Sequence, residues 1–185
     1  HVIHRRQRQM CIRDRIIQSK PLSVYASGGQ DVNHLDEVYN GKKPDIIDNA
    51  YVIVNFENGA RSLLELCMFA ENSDMQEELV ATGNKGKIET SVPSDDSGKT
   101  SSNIRIGMRD GKTHIENIEV DKKILEAGHH HGSTYYEHLA FLKAIESNSD
   151  PEVSLEDGLI AVAMGEAAEK SIKQGRLINL EEIIN

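Results

Sequence analysis

The sequence predicts an α+β fold in which helices pack on one face of a mainly antiparallel open sheet. Three observations support this fold class. About seven short segments with β-sheet composition precede any long helical pattern. Two segments with apolar residues at helical spacing follow, between residues 134 and 174. A central hairpin at residues 48–69 is apolar on both predicted faces, so we expect helices on one side of the sheet and another partner on the other.

The central hairpin gives the strongest local signal. Residues 48–56 and 61–69 flank the pair Asn58-Gly59, which predicts a type I′ turn with positive φ at both central residues. This turn places Phe56 opposite Arg61. With a period of two, one predicted face carries Tyr51, Ile53, Leu64, Leu66 and Met68, and the other carries Val52, Val54, Phe56, Leu63 and Cys67.

The other elements follow from strand alternation, turn residues and helix caps. The remaining predicted strands are residues 21–27, 75–82, 86–92, 103–109, 113–120 and, after the helices, 176–180. Capping boxes at Thr134 with Glu137 and at Ser154 with Asp157 predict the starts of two helices. The second helix is expected to end before Gly175. Its predicted inward residues are Leu159, Val162, Ala163, Ala167 and Ile172.

Composition restricts the function classes. The length of 185 residues suits one domain of ordinary size. The net charge of -9 argues against a nucleic-acid partner. No apolar run approaches the roughly 20 residues that a membrane-spanning helix needs. Of the two cysteines, Cys67 falls in a predicted strand and Cys11 in an unusual leader, so no disulfide framework is expected. We therefore expect a cytoplasmic protein with neither nucleic-acid nor membrane partners.

Residues 1–15 differ abruptly from the rest of the chain. They are rich in arginine, whereas residues 16–185 have the composition of an acidic domain. The run from Gln9 to Arg15 looks like the translated end of a sequencing adapter. The preferred interpretation is a non-native leader at 1–15 followed by a single domain at 16–185. A basic arm or a transit peptide is the alternative.

The motif search leaves a histidine-rich segment as the first candidate site. The sequence contains no GxGxxG, GxxxxGK[ST] or GxSxG motif. Residues 128–138 instead carry four histidines and two tyrosines before a predicted helix start, where free N–H groups attract anions and polarised oxygens. The candidate substrate-binding residues here are His129, His130, His131 and Tyr135. Solvated histidines with core tyrosines are the alternative, and three successive histidines fit a single zinc ion poorly.

A second polar cluster occupies residues 31–39. It contains His34 among Asp31, Asp36, Glu37 and Tyr39. Carboxylates and an imidazole can gather a cation or bind the hydroxyls of a polyol, although such residues also cap turns. His34 is therefore the fifth candidate substrate-binding residue, and neither cluster is assigned a metal.

The order of several segments resembles a known family. Besides the hairpin, these segments are the turn at 83–89, the helical run 136–145, the link 151–158 and the ending 171–176. Together they make residues 21–180 similar to the C-terminal domain of the Gfo/Idh/MocA oxidoreductases, the family of glucose-fructose oxidoreductase and inositol dehydrogenase. The resemblance thus covers nearly all of the chain beyond its leader.

The resemblance implies a function for an intact parent protein. In the family an N-terminal Rossmann domain binds NAD or NADP, and the C-terminal sheet forms a wall of the sugar or polyol pocket and much of the subunit interface. The catalytic lysine of a Glu-Lys-Pro motif and a histidine at the start of this domain are not found in the chain, so its catalytic residues are unknown. We expect homo-oligomers through the open sheet face, and a fragment that alone is inactive and binds no cofactor.

Two other function classes remain open at this point. One is a complete, non-enzymatic domain that dimerises or binds a ligand. The other is a metal-dependent hydrolase that uses the histidine-rich loop.

Overall fold

The computed structural model describes residues 16–94, 97–127 and 131–184. It confirms the α+β class, and seven strands precede the first long helix. The elements are β1 (Pro21–Gly29), β2 (Asn49–Phe56), β3 (Arg61–Cys67), β4 (Met75–Thr82), β5 (Gly86–Pro93), β6 (Ser101–Met108), β7 (Thr113–Glu119), α1 (Lys122–Glu126), α2 (Ser133–Ser147), α3 (Leu155–Gln174), β8 (Ile178–Asn179) and α4 (Glu181–Ile184). In the described part of the chain, no helix is long and apolar enough to span a bilayer.

The chain divides into two compact units. The first unit comprises the described residues up to Glu71 and those from Val153 onward, and the second is Asn72–Glu152. The first contains a four-stranded sheet in the order β3-β2-β1-β8, and the second a four-stranded sheet in the order β4-β5-β6-β7. All the strand pairings in both sheets are antiparallel. The expected open antiparallel sheet is therefore present as two separate sheets.

Helix α3 covers one face of the first sheet. Its Met164 and Ala167 are buried in the same apolar cluster as Val24 of β1 and Val54 of β2. The alanines of α3 bring its backbone close to the sheet, since a methyl group adds little distance between the two layers. This cluster is the core of the first unit.

The hairpin between β2 and β3 is confirmed, but its predicted register is wrong. Asn55, not Phe56, pairs with Arg61. The Gly59 N–H donates to the Phe56 carbonyl at 3.0 Å, and the Phe56 N–H donates to the Ala60 carbonyl at 3.0 Å. Within the turn the positive φ is confined to Gly59, at 82°. A three-residue loop therefore closes the hairpin instead of a type I′ turn, and the extra loop residue shifts the pairing by one position.

This shift exchanges the partners on the two faces. Val52 lies opposite Leu64 and Ile53 opposite Leu63. The buried set on the α3 side is Val52, Val54, Phe56 and Leu64, and the exposed set on the outer side includes Tyr25, Tyr51, Ile53 and Leu63. The prediction that both faces are apolar is confirmed.

Helix α3 starts and ends where its sequence predicts. The Ser154 hydroxyl accepts from the Asp157 N–H at 3.1 Å, while the Asp157 carboxylate accepts from the Ser154 N–H at 2.8 Å. These reciprocal bonds confirm the capping box. Gly175 ends the helix in the left-handed region, with φ of 64°. The inward placement of Leu159 and Val162 is wrong, because both are exposed and the sheet instead contacts the side of α3 that carries the small residues.

The sheet of the second unit has chemically distinct faces. Ile88 pairs with Ile106 on one face, and Glu89 pairs with Arg105 on the other. Glu89 also accepts a hydrogen bond from Lys87 at 2.6 Å on that charged face. Charges of both signs are typical of a solvated sheet surface.

Helix α2 begins one residue before its predicted cap. It starts at Ser133, after Gly132 as the N-cap residue with φ of 83°, so the prediction of a capping box with Thr134 as N-cap is wrong. A Cβ atom at position 132 would lie 2.7 Å from the Ile124 side chain. Only glycine fits this entry to the helix, because it combines the positive φ with the absence of a side chain.

Ser171 joins helix α3 to the sheet. Its hydroxyl accepts from the Ala26 N–H at 2.9 Å and donates to the Arg176 carbonyl at 2.6 Å. Strand β8 has only two residues and its pairing with β1 ends at Val24, so Ser171 supplies the acceptor that a longer strand would have given Ala26. The Ser171 side chain is fully buried, so this donor and acceptor have no access to water.

We expect Ser171→Ala to lower the free energy of unfolding by about 1–3 kcal/mol, because it leaves a buried backbone N–H without an acceptor. Urea unfolding followed by circular dichroism measures this change. Ser27→Ala, at an exposed position of the same strand β1, is the matched control and should change stability by less than about 0.5 kcal/mol. Equal effects of the two substitutions would contradict the proposed role of Ser171.

Candidate functional site

A buried carboxylate lies at the edge of the first sheet where β1 ends and β2 begins. Asp48 is completely buried. Its carboxylate accepts the backbone N–H groups of Asp31 at 3.0 Å, Val32 at 2.8 Å and Asn33 at 2.7 Å. The side-chain amide of Asn49 adds a fourth donor at 2.9 Å. Burial of a charge is tolerated here because several donors surround it.

The main chain of Asp48 ties the same region to both neighbouring strands. Its N–H donates to the Gly29 carbonyl at 2.9 Å, and its carbonyl accepts from the Met68 N–H at 2.8 Å. The Asn33 side chain donates to the Met68 carbonyl at 2.9 Å. The ends of β1, β2 and β3 and the start of the 30–48 loop are therefore held together around one residue.

The hydrogen bonds keep Asp48 ionised. Burial of the carboxyl raises its pKa. The hydrogen bonds from the backbone N–H groups of residues 31–33, led by that of Asn33, together lower the pKa by more than burial raises it. The net result is a pKa well below the ordinary aspartate value. Asp48 is thus an anion at neutral pH, and its role is to hold the loop.

The loop carries the second polar cluster of the sequence as a connected group. His34 has a φ of 61° and a side chain that is 43% exposed. Its Nδ1 atom lies 2.9 Å from Glu37 Oε2, which also accepts the Tyr39 hydroxyl at 2.5 Å. With Nδ1 bonded to Glu37, Nε2 is the ring nitrogen left for a ligand.

The shared carboxylate changes the acid–base properties of this cluster. The Tyr39 hydroxyl and then the His34 ring lower the pKa of Glu37, and the Glu37 carboxylate raises the pKa of Tyr39. Both groups are thereby held in their ordinary neutral-pH forms, a carboxylate and a neutral phenol. This arrangement can orient an imidazole toward a hydroxyl-bearing ligand.

The histidine-rich segment is described from His131 onward. His131 has a φ of 54°. Its Nε2 atom is buried and has no hydrogen-bond partner within the described part of the chain. Buried polar atoms are nearly always paired, so this nitrogen requires a partner beyond the described residues. His129 and His130 lie outside the described residues.

The two tyrosines after His131 are partly exposed. The rings of Tyr135 and Tyr136 meet edge to face, with centroids 5.8 Å apart and an interplanar angle of 77°. This is a favourable geometry for an aromatic pair. Tyr135 is 40% exposed, so the alternative of a core tyrosine is wrong. Its phenol is available to a ligand from the first turn of α2.

The candidate substrate-binding residues belong to different units of the chain. The structure connects His34 with Glu37 and Tyr39 in the first unit, and His131 and Tyr135 belong to the second. No three histidine, cysteine, aspartate or glutamate side chains converge as metal ligands among residues 16–94, 97–127 and 131–184. Sequence reasoning missed the role of Asp48, because its backbone partners in the loop lie 15 to 17 residues away in the sequence.

Comparison with known proteins defines the class as an oxidoreductase domain. Residues 20–180 match the oxidoreductase family C-terminal alpha/beta domain. The chain therefore belongs to the Gfo/Idh/MocA family of oxidoreductases, which confirms the resemblance of its sequence.

Individual relatives agree with this assignment. Myo-inositol 2-dehydrogenase of Thermotoga maritima is 29% identical over 169 residues, covering 87% of this chain and 43% of the relative. An Agrobacterium radiobacter oxidoreductase, solved with NAD+, L-tartaric acid and magnesium, shares the fold with a TM-score of 0.67, 17% identity and coverage of 94% and 47% of the two chains. The aldose-aldose oxidoreductase of Caulobacter crescentus, solved with glycerol, also shares the fold, with a TM-score of 0.64 and 16% identity. The match covers 94% of this chain and 45% of that protein. The chain thus spans less than half the length of these relatives.

The Asp48 carboxylate should give the first unit an acid-sensitive stability. Its folded-state pKa lies below the unfolded value. Its stabilisation is therefore full above the ordinary aspartate pKa of about 3.9 and is lost as the pH falls through the folded-state pKa. We expect Asp48→Asn to be less stable than the original chain at neutral pH and the difference to shrink in acid. Urea unfolding at a series of pH values measures this convergence.

An ion pair between Arg176 and Glu182, at 2.8 Å, sets the background for this measurement. Its carboxylate, Glu182, has a pKa lowered to about 2, mainly by the Arg176 guanidinium. It therefore also loses stabilising interactions in acid. Glu182→Gln is the matched control, because it removes this contribution and leaves that of Asp48. A difference in unfolding free energy between Asp48→Asn and the original chain that stays constant down to the lowest pH would contradict the role given to Asp48.

Proposed function

We propose that this chain is the substrate-binding and oligomerisation part of an NAD(P)-dependent oxidoreductase that acts on a sugar, inositol or related polyol. The observation that carries this proposal is the family match over residues 20–180, joined to the 29% identity with a myo-inositol 2-dehydrogenase. The relatives are about twice as long as the chain. Their remaining length leaves room for a cofactor domain in an intact protein.

The cofactor is proposed only for that intact protein. This chain contains no GxGxxG loop, the motif in which glycines let the backbone approach a pyrophosphate. No dinucleotide-binding residue and no catalytic residue of this chain is therefore assigned. NAD or NADP is expected to bind elsewhere in the intact protein and not to this chain alone.

The contribution of this chain is to bind and orient the substrate. A polyol hydroxyl both donates and accepts hydrogen bonds, so it can meet an imidazole nitrogen, a phenol or a carboxylate. The Nε2 of His131, which has no hydrogen-bond partner among the described residues, and the Glu37-oriented ring of His34 support such contacts. The proposed substrate-binding residues are His129, His130, His131, Tyr135 and His34.

The outer face of the first sheet supports the oligomerisation part of the proposal. Tyr25, Tyr51, Ile53 and Leu63 are exposed there, and Leu63 is 61% exposed. They form an apolar surface on adjoining strands of one sheet. Burial of such a surface by a second copy would remove it from water. A homo-oligomer is therefore proposed for the intact protein.

The source locus tests the enzymatic proposal. We expect the DNA upstream of codon 16 to encode, in frame, a strand, a GxGxxG loop and a helix. The protein produced from this longer frame should reduce NAD+ or NADP+ in the presence of myo-inositol or a related polyol, measured by nicotinamide absorbance. A native start codon near residue 16 would instead support the stand-alone dimerising or ligand-binding domain.

The same protein tests the site residues. His131→Phe should raise the KM for the polyol about 2- to 10-fold, the effect expected for one lost neutral hydrogen bond, because a phenyl ring has no nitrogen to bond the hydroxyl. His114→Phe, at an exposed position of β7, is the matched control and should leave the KM unchanged. An unchanged KM in His131→Phe would remove His131 from the proposed site.

The outer face can be tested separately from catalysis. Leu63→Lys places a charge in the apolar surface, opposite Ile53 of the neighbouring strand. It should weaken self-association about tenfold or more, because a buried unpaired ammonium is costly. Sedimentation equilibrium measures the change. Val162→Lys, an exposed apolar position on α3, is the control, and equal effects of both substitutions would exclude the sheet face as the interface.

A further inference from the structure

We propose that Asp48 is the positioning residue of the proposed substrate site, fixing through its loop the place and orientation of the His34 imidazole. The inference rests on the proposed function for the ligand, but the link from Asp48 to His34 is a property of this chain. It gives a role to a buried charged group that lies at a strand end and itself has no access to a ligand.

The residues before His34 are immobilised by hydrogen bonds. Three consecutive N–H groups, those of residues 31–33, end on the Asp48 carboxylate within 3.1 Å. The Asn33 side chain is bonded to the Met68 carbonyl, and the Asn33 carbonyl accepts from the Gln30 side chain at 2.9 Å. The residue directly preceding His34 is therefore fixed by its N–H, its carbonyl and its side chain.

The second step leads from this fixed backbone to the ring. His34 adopts a φ of 61°. This is a left-handed conformation that a residue with a Cβ rarely takes without support. The Glu37 N–H points back to the His34 carbonyl at 3.4 Å, and the Glu37 carboxylate meets the His34 ring at 2.9 Å. The ring position thus depends on a turn that begins where the Asp48 bonds end.

The third step is that a carboxylate is required at position 48. One oxygen accepts from all three backbone N–H groups, and the other accepts from Asp31 N and the Asn49 amide. An asparagine has nearly the same shape, but both oxygens of Asp48 face N–H donors. Whichever way the asparagine amide is turned, its NH2 group therefore faces donors that it cannot accept from. Asp48→Asn therefore removes acceptor capacity at this point with little change in volume.

Solution NMR of the 185-residue chain tests this link. In the original chain the long-range ¹H–¹⁵N spectrum should show the two His34 nitrogens as distinct signals, the signature of a ring held with Nδ1 bonded to Glu37. In Asp48→Asn we expect the His34 nitrogen signals to move toward the values of a freely exchanging imidazole. Amide hydrogen exchange at residues 31–33 should accelerate about tenfold or more.

Two further variants keep the test decisive. Ser171→Ala is a destabilised control, since Ser171 bonds Ala26 and Arg176, which both lie outside the 30–48 loop. It should leave the His34 signals unchanged. If Asp48→Asn does not fold, Val32→Pro removes one N–H from the carboxylate while keeping Asp48 itself. It should move the His34 signals in the same direction. Unchanged His34 signals in a folded Asp48→Asn or Val32→Pro chain would overturn the proposal.

Titration with myo-inositol separates this proposal from the proposed function. If the original chain shows inositol-dependent shifts at His34 that Asp48→Asn loses, both are supported. If the original chain shows no such shifts while Asp48→Asn still changes the His34 signals, Asp48 positions the ring but the polyol assignment of His34 fails. If inositol shifts His34 equally in both chains, His34 contacts the ligand and the positioning role of Asp48 is overturned.

Discussion

The hydrogen bonds around Asp48 fix the conformation of the 30–48 loop and its connection to the ends of β1, β2 and β3. An ionised carboxylate without access to water is stable only if donors surround it, and here the loop supplies three backbone donors. The same residue pairs its main chain with Gly29 and with Met68. Loop conformation and strand alignment are therefore coupled, because a change in either would leave a buried charge with fewer partners.

Sequence reasoning recovered the elements whose signals are local. Apolar alternation identified β1 to β7, and the Ser154–Asp157 capping box fixed the start of α3. The hairpin register failed because Asn58-Gly59 is compatible with two loop lengths, and only the pairing of whole strands chooses between them. The inward face of α3 failed because contact with the sheet favours small residues over the larger Leu159 and Val162.

Only part of the geometry around the candidate residues could be predicted from the sequence. A run of polar residues at 31–39 was visible in the sequence, and its internal bonds from His34 and Tyr39 to Glu37 are local. The buried state of Asp48 is not local, since it depends on strands that pair across the sheet. For His131, sequence gave the residue type near a helix start, whereas the burial of its Nε2 required the structure. Family membership identifies the chain as an oxidoreductase domain.

The division of the chain into units affects the order in which its parts can fold during synthesis. Residues 72–152 form a continuous unit, whereas the first unit needs both the segment before Glu71 and the segment after Val153. Ribosomes add about 5–20 residues per second, so β1, β2 and β3 wait several seconds for the helix that covers them. During that interval Val24, Val52 and Val54 have no α3 to bury them. The apolar inner face of the nascent sheet therefore stays uncovered until α3 has been synthesised.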